Sequence, residues 1–264
     1  MNNNSENSSL VQSVNKALEI LNALAECPKG CRIAELSKRL GLNKSTIYRI
    51  LATLRYRNYV IKNEENDKYM LGTQILYLSQ SLKSGMDLVT ISRPYINKLV
   101  DKIGETAHLC IPDELFHNII YIDKISPEQP NRSIYMSSKI GKKTPIYCTA
   151  SGKLLLSQFS DEKIKNILEK IDLVKHTENT IIDVNIFLDE IKKIRIDRYA
   201  LDRVENENGI ICIAVPIFNS KGEICATISI SSVILFKTIE DLLSYKDDIF
   251  EICNKISKLL GFMS

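Results

Sequence analysis

The sequence lacks the residue patterns on which most catalytic and metal sites depend. It has 3 histidines, which are too few and too dispersed to indicate a metal or nucleophile site. No GxSxG, Walker A or HExxH spacing occurs, and Thr149-Ala150-Ser151-Gly152-Lys153 lacks the full glycine spacing of a phosphate loop. We therefore expect no metal, no cofactor and no enzymatic activity.

The cysteines and the hydrophobic runs exclude further classes of protein. The 7 cysteines are odd in number and contain no CxxC pair, which is typical of reduced thiols in a cytosol. No run approaches the roughly 18 consecutive apolar residues of a membrane span, and residues 1–9 lack the basic start and apolar core of a signal peptide. The sequence predicts a cytoplasmic protein with no membrane partner and a disordered tail over residues 1–9.

Positive charge is concentrated in the first quarter of the chain. Residues 10–73 hold 11 Lys or Arg against 6 Asp or Glu, whereas residues 74–264 hold 24 against 25. With 264 residues, of which 44% are hydrophobic, the chain is long enough for two domains with a core in each. This distribution favours a small polyanion-binding domain followed by a larger, nearly neutral domain with another task.

Residues 10–73 have the pattern of a winged helix-turn-helix. Apolar residues at helical spacing predict a first helix, with Val14, Leu18, Leu21 and Ala25 on its buried face. A second helix over Ile33 to Leu40 ends at Gly41, where a positive φ is expected. Asn43 is a candidate cap for a third helix that runs from Lys44 to about Arg57. Two short strands, Tyr59 to Lys62 and Lys68 to Leu71, then form a β-hairpin wing.

The third helix carries most of the residues expected to contact DNA. Its apolar stripe leaves polar side chains facing outward, and donors at its N-terminal end suit phosphates and base edges in a major groove. An ordinary solvated helix is the alternative for any single residue. An RNA-binding module is disfavoured because exposed aromatic platforms are lacking. The candidate DNA contacts are Arg32, Asn43, Lys44, Ser45, Thr46, Tyr48, Arg49 and Lys62.

Residues 74–88 are predicted to form a linker helix that pairs with its copy in a second subunit. Residues 89–264 alternate strand-like and helix-like runs. Asn219-Ser220-Lys221-Gly222 joins two long strands as a hairpin turn, which indicates an α+β domain with a mainly antiparallel sheet flanked by helices. We expect strands that include Ser133 to Ser137 and a single last helix from Ile239 to Leu260. Such a layout leaves a cup between the sheet and its loops.

Four segments resemble the IclR family of bacterial regulators. They are Ser13 to Leu21, Gly41 to Leu51, Thr149 to Lys153 and Gly209 to Ile217. The resemblance implies a GAF-like effector-binding domain, homodimers or homotetramers on double-stranded operator DNA, and control by a small organic acid. It further implies a ligand cup formed by Met136, Ala150, Ser151, Asp202, Ile210, Cys212, Ser229 and Ser231. The hydroxyls of Ser151, Ser229 and Ser231 suit a carboxylate or keto oxygen of a ligand. The alternative for Ser229 and Ser231 is that they face solvent or pair within the sheet.

Three departures from the family pattern are expected around the cup, and they concern the ligand rather than the fold. They are Tyr147, Arg198 and Val204-Glu205. The resemblance implies a repressor that a small acid, such as a sugar-acid catabolite, releases from its operator; an activator of the same architecture is the alternative. A remote alternative is an enzyme that uses Cys212 as nucleophile, although a mid-strand cysteine is usually a structural buried thiol.

Overall fold

A computed structural model describes residues 11–84, 87–128 and 136–263. The predicted tail over residues 1–9 therefore lies outside the described residues, as do residues 85 and 86 of the predicted linker helix. The chain divides into two compact units, Met1–Met86 and Asp87–Ser264. None of the described helices is both long and apolar enough to cross a membrane.

The N-terminal unit contains the helices and the wing that the sequence predicts. Its helices are α1 (Gln12–Ala25), α2 (Ile33–Leu40), α3 (Lys44–Tyr56) and α4 (Thr73–Ser84), and its strands are β1 (Val60–Asn63) and β2 (Lys68–Leu71). The strands pair antiparallel with Val60 opposite Leu71. Gly41 has a φ of 65° and ends α2, as expected. Asn43 precedes α3 but its side chain makes no capping hydrogen bond, so the predicted cap is absent.

The buried face of α1 differs from the prediction. The helix buries Ile20, Ala23 and Leu24, whereas Val14 and Leu18 remain 55% and 54% exposed. Because α1 carries two apolar stripes, tertiary packing rather than periodicity decides which stripe enters the core. The core that selects it contains Ile20, Leu24, Leu36, Ile47, Leu51, Val60 and Tyr69.

The C-terminal unit is an α+β domain built on one antiparallel sheet. Its strands are β3 (Thr106–Pro112), β4 (Asn118–Ile125), β5 (Lys143–Pro145), β6 (Ala200–Arg203), β7 (Ile210–Phe218) and β8 (Ile224–Val233). They lie in the order β5-β4-β3-β8-β7-β6. The helices are α5 (Asp87–Ile103), α6 (Ala150–Leu156), α7 (Asp161–Leu168), α8 (Val184–Asp197), α9 (Ile239–Ser244) and α10 (Lys246–Leu259).

One prediction about this unit is wrong, and another lies partly outside the described residues. The last helix is divided, because α9 ends at Ser244 and α10 begins at Lys246, with Tyr245 between them. Of the predicted strand Ser133 to Ser137, residues 133–135 lie outside the described residues, and Met136 and Ser137 belong to no strand. The strand that pairs with β4 on that side is β5.

The two faces of the sheet pack against different helices. On β7, Cys212 and Ala214 belong to the cluster that includes Leu154 and Leu155 of α6. The alternating residues Ile213 and Val215 point the other way, where the Cys253 thiol of α10 reaches the Val215 carbonyl. The α6 face of the sheet is where polar side chains collect.

Candidate nucleic-acid interface and ligand cup

The N-terminal end of α3 presents a polar, exposed surface. Ile47 and Leu51 are buried in the core of the unit, and this packing turns the opposite side of the helix to solvent. Tyr48 is 60% exposed. Lys44, Ser45 and Arg49 are also exposed, Thr46 is half-buried, and Asn43 lies exposed just before the helix. Donors of both charged and neutral kinds therefore lie on one accessible face.

Arg32 connects the start of α2 to the wing. Its Nε donates to the carbonyl oxygen of Asn66 at the wing tip over 3.1 Å. Its backbone N–H donates to Glu35 Oε2 over 2.7 Å. One edge of the Arg32 guanidinium is thus used to hold the wing, and the side chain remains exposed.

Ion pairs engage the basic residue predicted on the wing. Lys62 Nζ lies 2.5 Å from Asp67 Oδ1 and 3.4 Å from Glu64 Oε2. The hydrogen bond to Asp67 raises the pKa of Lys62. Arg55 also pairs with Glu64, at 2.8 Å. Carboxylates at the wing tip, those of Glu64 and Asp67, therefore pair with both Lys62 and Arg55.

Sequence reasoning missed two exposed residues near the end of α3. Tyr56 is 84% exposed, and Arg55 lies beside it. Together with Tyr48 and Lys62 they border a surface cleft of about 450 Å³ between α3 and the wing. Their spacing from Tyr48, seven and eight residues, places them on its helical face, and this signal was available in the sequence.

All eight residues of the expected cup line one cavity of about 30 Å³ on the α6 side of the sheet. Strand register explains the meeting of distant residues: Asp202 lies opposite Cys212, and Cys212 lies opposite Ser231. Ser229 and Ser231 are 5% and 4% exposed, so they do not face solvent. The structure adds lining residues that the sequence analysis did not name: His108, Ile119, Tyr121, Ser138, Thr149, Asn206 and Glu207.

A chain of hydrogen bonds crosses the cup floor. Cys212 Sγ lies 3.1 Å from Ser231 Oγ, which is 3.3 Å from His108 Nδ1. His108 Nε2 lies 2.8 Å from Ser138 Oγ. Burial lowers the pKa of His108 to about 3, so the imidazole is neutral at neutral pH. Burial also raises the pKa of the Cys212 thiol well above its usual value, which disfavours a nucleophilic thiolate.

Asp202 is the buried carboxyl group of the cup. It is 2% exposed and accepts a hydrogen bond from the Glu205 backbone N–H over 2.6 Å. Burial raises its pKa to about 7. Val204, two residues further on, has a φ of 63°, which is costly for a β-branched residue. Glu205 itself turns away from the cup to pair with Lys153.

The segment Thr149 to Lys153 forms the side of the cup opposite the strands. Thr149 caps α6 by accepting from the Gly152 N–H over 3.0 Å. A Cβ at Gly152 would lie 1.9 Å from the Ile146 carbonyl oxygen, so only glycine fits this approach. Ser151 is 2% exposed, and its hydroxyl has no regular hydrogen-bond partner, with the weakly polar Cys110 thiol as its neighbour.

The three departures do not all lie around the cup. The Tyr147 hydroxyl is directed to the Val174 carbonyl, over 2.8 Å. Arg198 has a φ of 59° and lines a separate groove of about 570 Å³ with Lys258. Neither side chain lines the cup. The expectation that the Tyr147 and Arg198 side chains lie around the cup is therefore wrong, because Tyr147 turns to Val174 and the end of α8 directs Arg198 toward α10.

Comparison with known proteins decides the family. A profile described as "Bacterial transcriptional regulator IclR C-terminal" matches residues 80–258, and one described as "IclR helix-turn-helix domain" matches residues 13–64. The chain belongs to the IclR family. The resemblance seen in the sequence is thus confirmed, as are the winged helix-turn-helix and the α+β fold of the C-terminal unit.

Individual relatives agree along nearly the whole chain. The HTH-type transcriptional regulator KdgR of Escherichia coli (strain K12) is 35% identical over 252 residues, covering 96% of this chain and 94% of that protein. XynR of the same organism is 29% identical over 253 residues, covering 96% and 98%. The crystal structure of Thermotoga maritima IclR matches with a TM-score of 0.78 at 31% identity, covering 96% of this chain and all of that one. This IclR-family chain is a DNA-binding transcriptional regulator and not an enzyme.

Among the described residues, no group of three or more His, Cys, Asp or Glu side chains is arranged to hold a metal ion. The exposed face of α3 and the cup supply hydrogen-bonding and charged groups.

Proposed function

We propose that this IclR-family protein is an operator-binding repressor that a small organic acid releases from DNA. The observation that carries the proposal is the pairing of a donor-rich, exposed α3 in one unit with a buried, hydroxyl-lined cup in the other. Relatives named as repressors favour this sign of regulation, among them the acetate operon repressor of Salmonella typhimurium, 30% identical over 221 residues.

The proposed DNA contacts follow from the exposed residues of the winged unit. Lys44, Ser45, Tyr48 and Arg49 face a major groove with Thr46 at their edge, where Arg49 and Lys44 supply charge-assisted hydrogen bonds. Asn43 and Arg32 approach the phosphate backbone, which positions the helix without reading sequence. Lys62 contacts a phosphate after it breaks its ion pairs with Glu64 and Asp67 of the wing.

The proposed effector is a small acid held by the three serine hydroxyls of the cup. Ser229 and Ser231 donate from the strand, and Ser151 donates from α6. Asp202 accepts from a hydroxyl of the ligand, and Met136, Ala150 and Ile210 close the apolar side with Cys212 below. A hydroxylated acid such as a sugar-acid catabolite uses both kinds of contact.

We propose that the active form is a homodimer or homotetramer. Two winged units on one assembly match two halves of a pseudo-palindromic operator, and α4 is the proposed pairing helix. An acid in the cup then changes the spacing of the two units, so that they no longer fit both half-sites. Because this operator lies on the bacterial chromosome, we place the protein in the cytoplasm.

The test is a titration against DNA from upstream of the protein's own gene and the neighbouring operon, at fixed salt, with a panel of keto and hydroxy acids. Selective binding that one acid releases supports the repressor. Selective binding that one acid strengthens indicates the activator of the same architecture. Equal affinity for unrelated DNA of the same length would contradict operator recognition altogether.

A further inference from the structure

The cup is lined by acidic side chains and, among the residues that the structure describes, by no basic one. Asp202 and Glu207 both border the cavity, and no described lysine or arginine does. The buried imidazole of His108 is neutral at neutral pH, as shown above. Within the described part of the lining, an acid that enters the cup therefore meets two carboxyl side chains and no lysine or arginine. This arrangement is unusual for an anion site, since arginine or lysine normally pairs with a carboxylate.

The neighbouring lysines are already engaged by other groups. Lys153 Nζ lies 2.5 Å from Glu205 Oε1 and 3.9 Å from Glu190 Oε1. Lys124 Nζ is held by Ser138, at 2.8 Å from its carbonyl oxygen and 2.9 Å from its hydroxyl. Lys124 thus contacts the cup by way of Ser138, whose hydroxyl lines the cavity. Lys153 is held by Glu205, in the turn that follows Asp202. Neither ammonium forms a salt bridge with Asp202.

The groups that face Asp202 come from several elements. Its own turn contributes the Glu205 carboxylate and the backbone N–H groups of Glu205 and Asn206. From β7 comes the Cys212 thiol, and from the turn before α6 comes the Cys148 thiol. Lys153 acts from α6, and Glu207 lines the same cavity. Burial and the nearby Glu205 carboxylate, opposed by Lys153 and the two N–H groups, leave Asp202 able to take up a proton at neutral pH.

A second observation indicates that the cup is built for a polar ligand. The Ser151 hydroxyl is buried, lines the cavity and lacks a regular partner. An oxygen of a bound ligand gives this hydroxyl the regular partner that it otherwise lacks. Ser229 and Ser231 add two further hydroxyls on the opposite side. The described lining thus offers hydrogen bonds for one carboxylate but no lysine or arginine to pair with its charge.

We propose that Asp202 takes up one proton from solvent when a small monocarboxylate enters the cup, and that the same residue excludes doubly charged acids. The proton binds a carboxylate oxygen of Asp202 and neutralises it. The negative charge of the ligand carboxylate then takes the place of the negative charge that Asp202 has lost. A dianion still adds net negative charge after this exchange. The inference rests on the proposed acid-responsive function and adds to it the charge class of the effector.

The experiment is isothermal titration calorimetry on the full chain with two matched probes. Pyruvate carries one carboxylate, and ketomalonate replaces its methyl group by a second carboxylate. Titrations in two buffers of different ionisation enthalpy give the number of protons taken up. We expect uptake to approach one proton, and pyruvate affinity to fall by up to about tenfold per pH unit, at pH above about 7.5. Ketomalonate should bind at least about tenfold more weakly than pyruvate, because one more buried charge is unpaired.

Two variants locate the effect. Asp202→Asn should abolish proton uptake, flatten the pH dependence of pyruvate affinity and reduce the discrimination against ketomalonate. Glu207→Gln, a matched change on the same cavity, should keep the proton uptake. The buffer dependence of the unaltered protein is informative even where a variant fails to fold.

The outcomes separate this inference from the function on which it rests. Pyruvate binding without proton uptake, or equal affinity for ketomalonate, would overturn the inference while leaving an acid-released regulator intact. Binding of neither probe would overturn the inference as well. Failure of the whole acid panel to alter operator binding would instead count against the proposed effector.

Discussion

The ammonium group of Lys153 lies 2.5 Å from the carboxylate of Glu205, with both side chains buried. The pair joins α6 to the turn after β6, where the Glu205 backbone N–H also donates to Asp202 at the end of that strand. Because a buried charge without its partner is strongly destabilising, this contact holds α6 against the turn after β6 and so stabilises the side of the cup that contains Asp202.

Removing one partner of this pair should destabilise the protein. Lys153→Met leaves the Glu205 carboxylate buried without its cation, and we expect a loss of about 3–5 kcal/mol in the free energy of unfolding. Urea denaturation measures it. Lys175→Ala, which removes an exposed pair with Glu178, should cost at most about 1 kcal/mol. Equal effects of the two variants would show that burial of the Lys153 pair is unimportant.

The left-handed end of α8 predicts a stabilising substitution. Arg198 has a φ of 59°, a region that costs a residue with a Cβ roughly 1–2 kcal/mol. Arg198→Gly removes that cost, and part of the gain is offset by the greater freedom of glycine in the unfolded chain. We expect a net gain of about 0.5–1 kcal/mol, measured by thermal unfolding. Asp197→Gly, one residue earlier and inside the helix, should destabilise by about 1 kcal/mol.

Close approach of backbone at Gly152 predicts a severe effect of a small change. Gly152→Ala places a methyl group 1.9 Å from the Ile146 carbonyl oxygen, so α6 must move away from the turn that precedes it. We expect a loss of about 3 kcal/mol or more and a distorted cup. Gly141→Ala, where a Cβ has open space but φ is +83°, should cost only about 1 kcal/mol. Circular dichroism melts of both variants decide the matter, and similar melting temperatures would contradict the close contact.

The exposed face of α3 predicts separable effects on DNA and ligand. Arg49→Ala should weaken operator binding by about tenfold or more, as expected for a lost base or phosphate contact, and leave acid binding unchanged. Lys170→Ala removes an exposed lysine of the other unit and should change neither. Fluorescence anisotropy with labelled operator measures the first property and calorimetry the second. Wild-type affinity of Arg49→Ala for the operator would refute the recognition-helix assignment.

The raised pKa of Asp202 predicts a pH-dependent stability difference. Its value of about 7 in the folded protein exceeds its ordinary value of 3.8, so the folded state binds the proton more tightly than the unfolded state. Its contribution is therefore full at low pH and is lost as pH rises toward 7. Asp202→Asn should gain stability relative to the unaltered protein across this interval and level off above it. Chemical denaturation at several pH values tests this, and a constant difference would contradict the buried carboxyl.

The sequence indicated the winged unit because its signals are local. Gly41, the stripe through Ile47 and Leu51, and the hairpin composition each report on neighbours within a few residues. The face of α1 was mistaken because Val14 and Leu18 are as apolar as Ile20 and Leu24, and only the position of the other helices distinguishes them. Local pattern does not contain that information.

The cup residues came from family resemblance rather than from periodicity, and the structure brings all eight together. Their partners were less accessible. Lys153 and Glu205 are 52 residues apart, and His108 meets Ser231 across two strands whose register no local pattern specifies. The division at Tyr245 was missed because Ile239 to Leu260 lacks the glycine or proline that usually marks a helix end.

The ion pairs of the wing have a consequence for counterion release. Lys62 and Arg55 already hold Glu64 and Asp67 in place of mobile salt ions. When such a lysine turns to a phosphate, the carboxylates it leaves gather cations from solution, which offsets the cations that the DNA gives up. The affinity of this winged unit for DNA should therefore depend less steeply on salt concentration than its number of basic residues suggests.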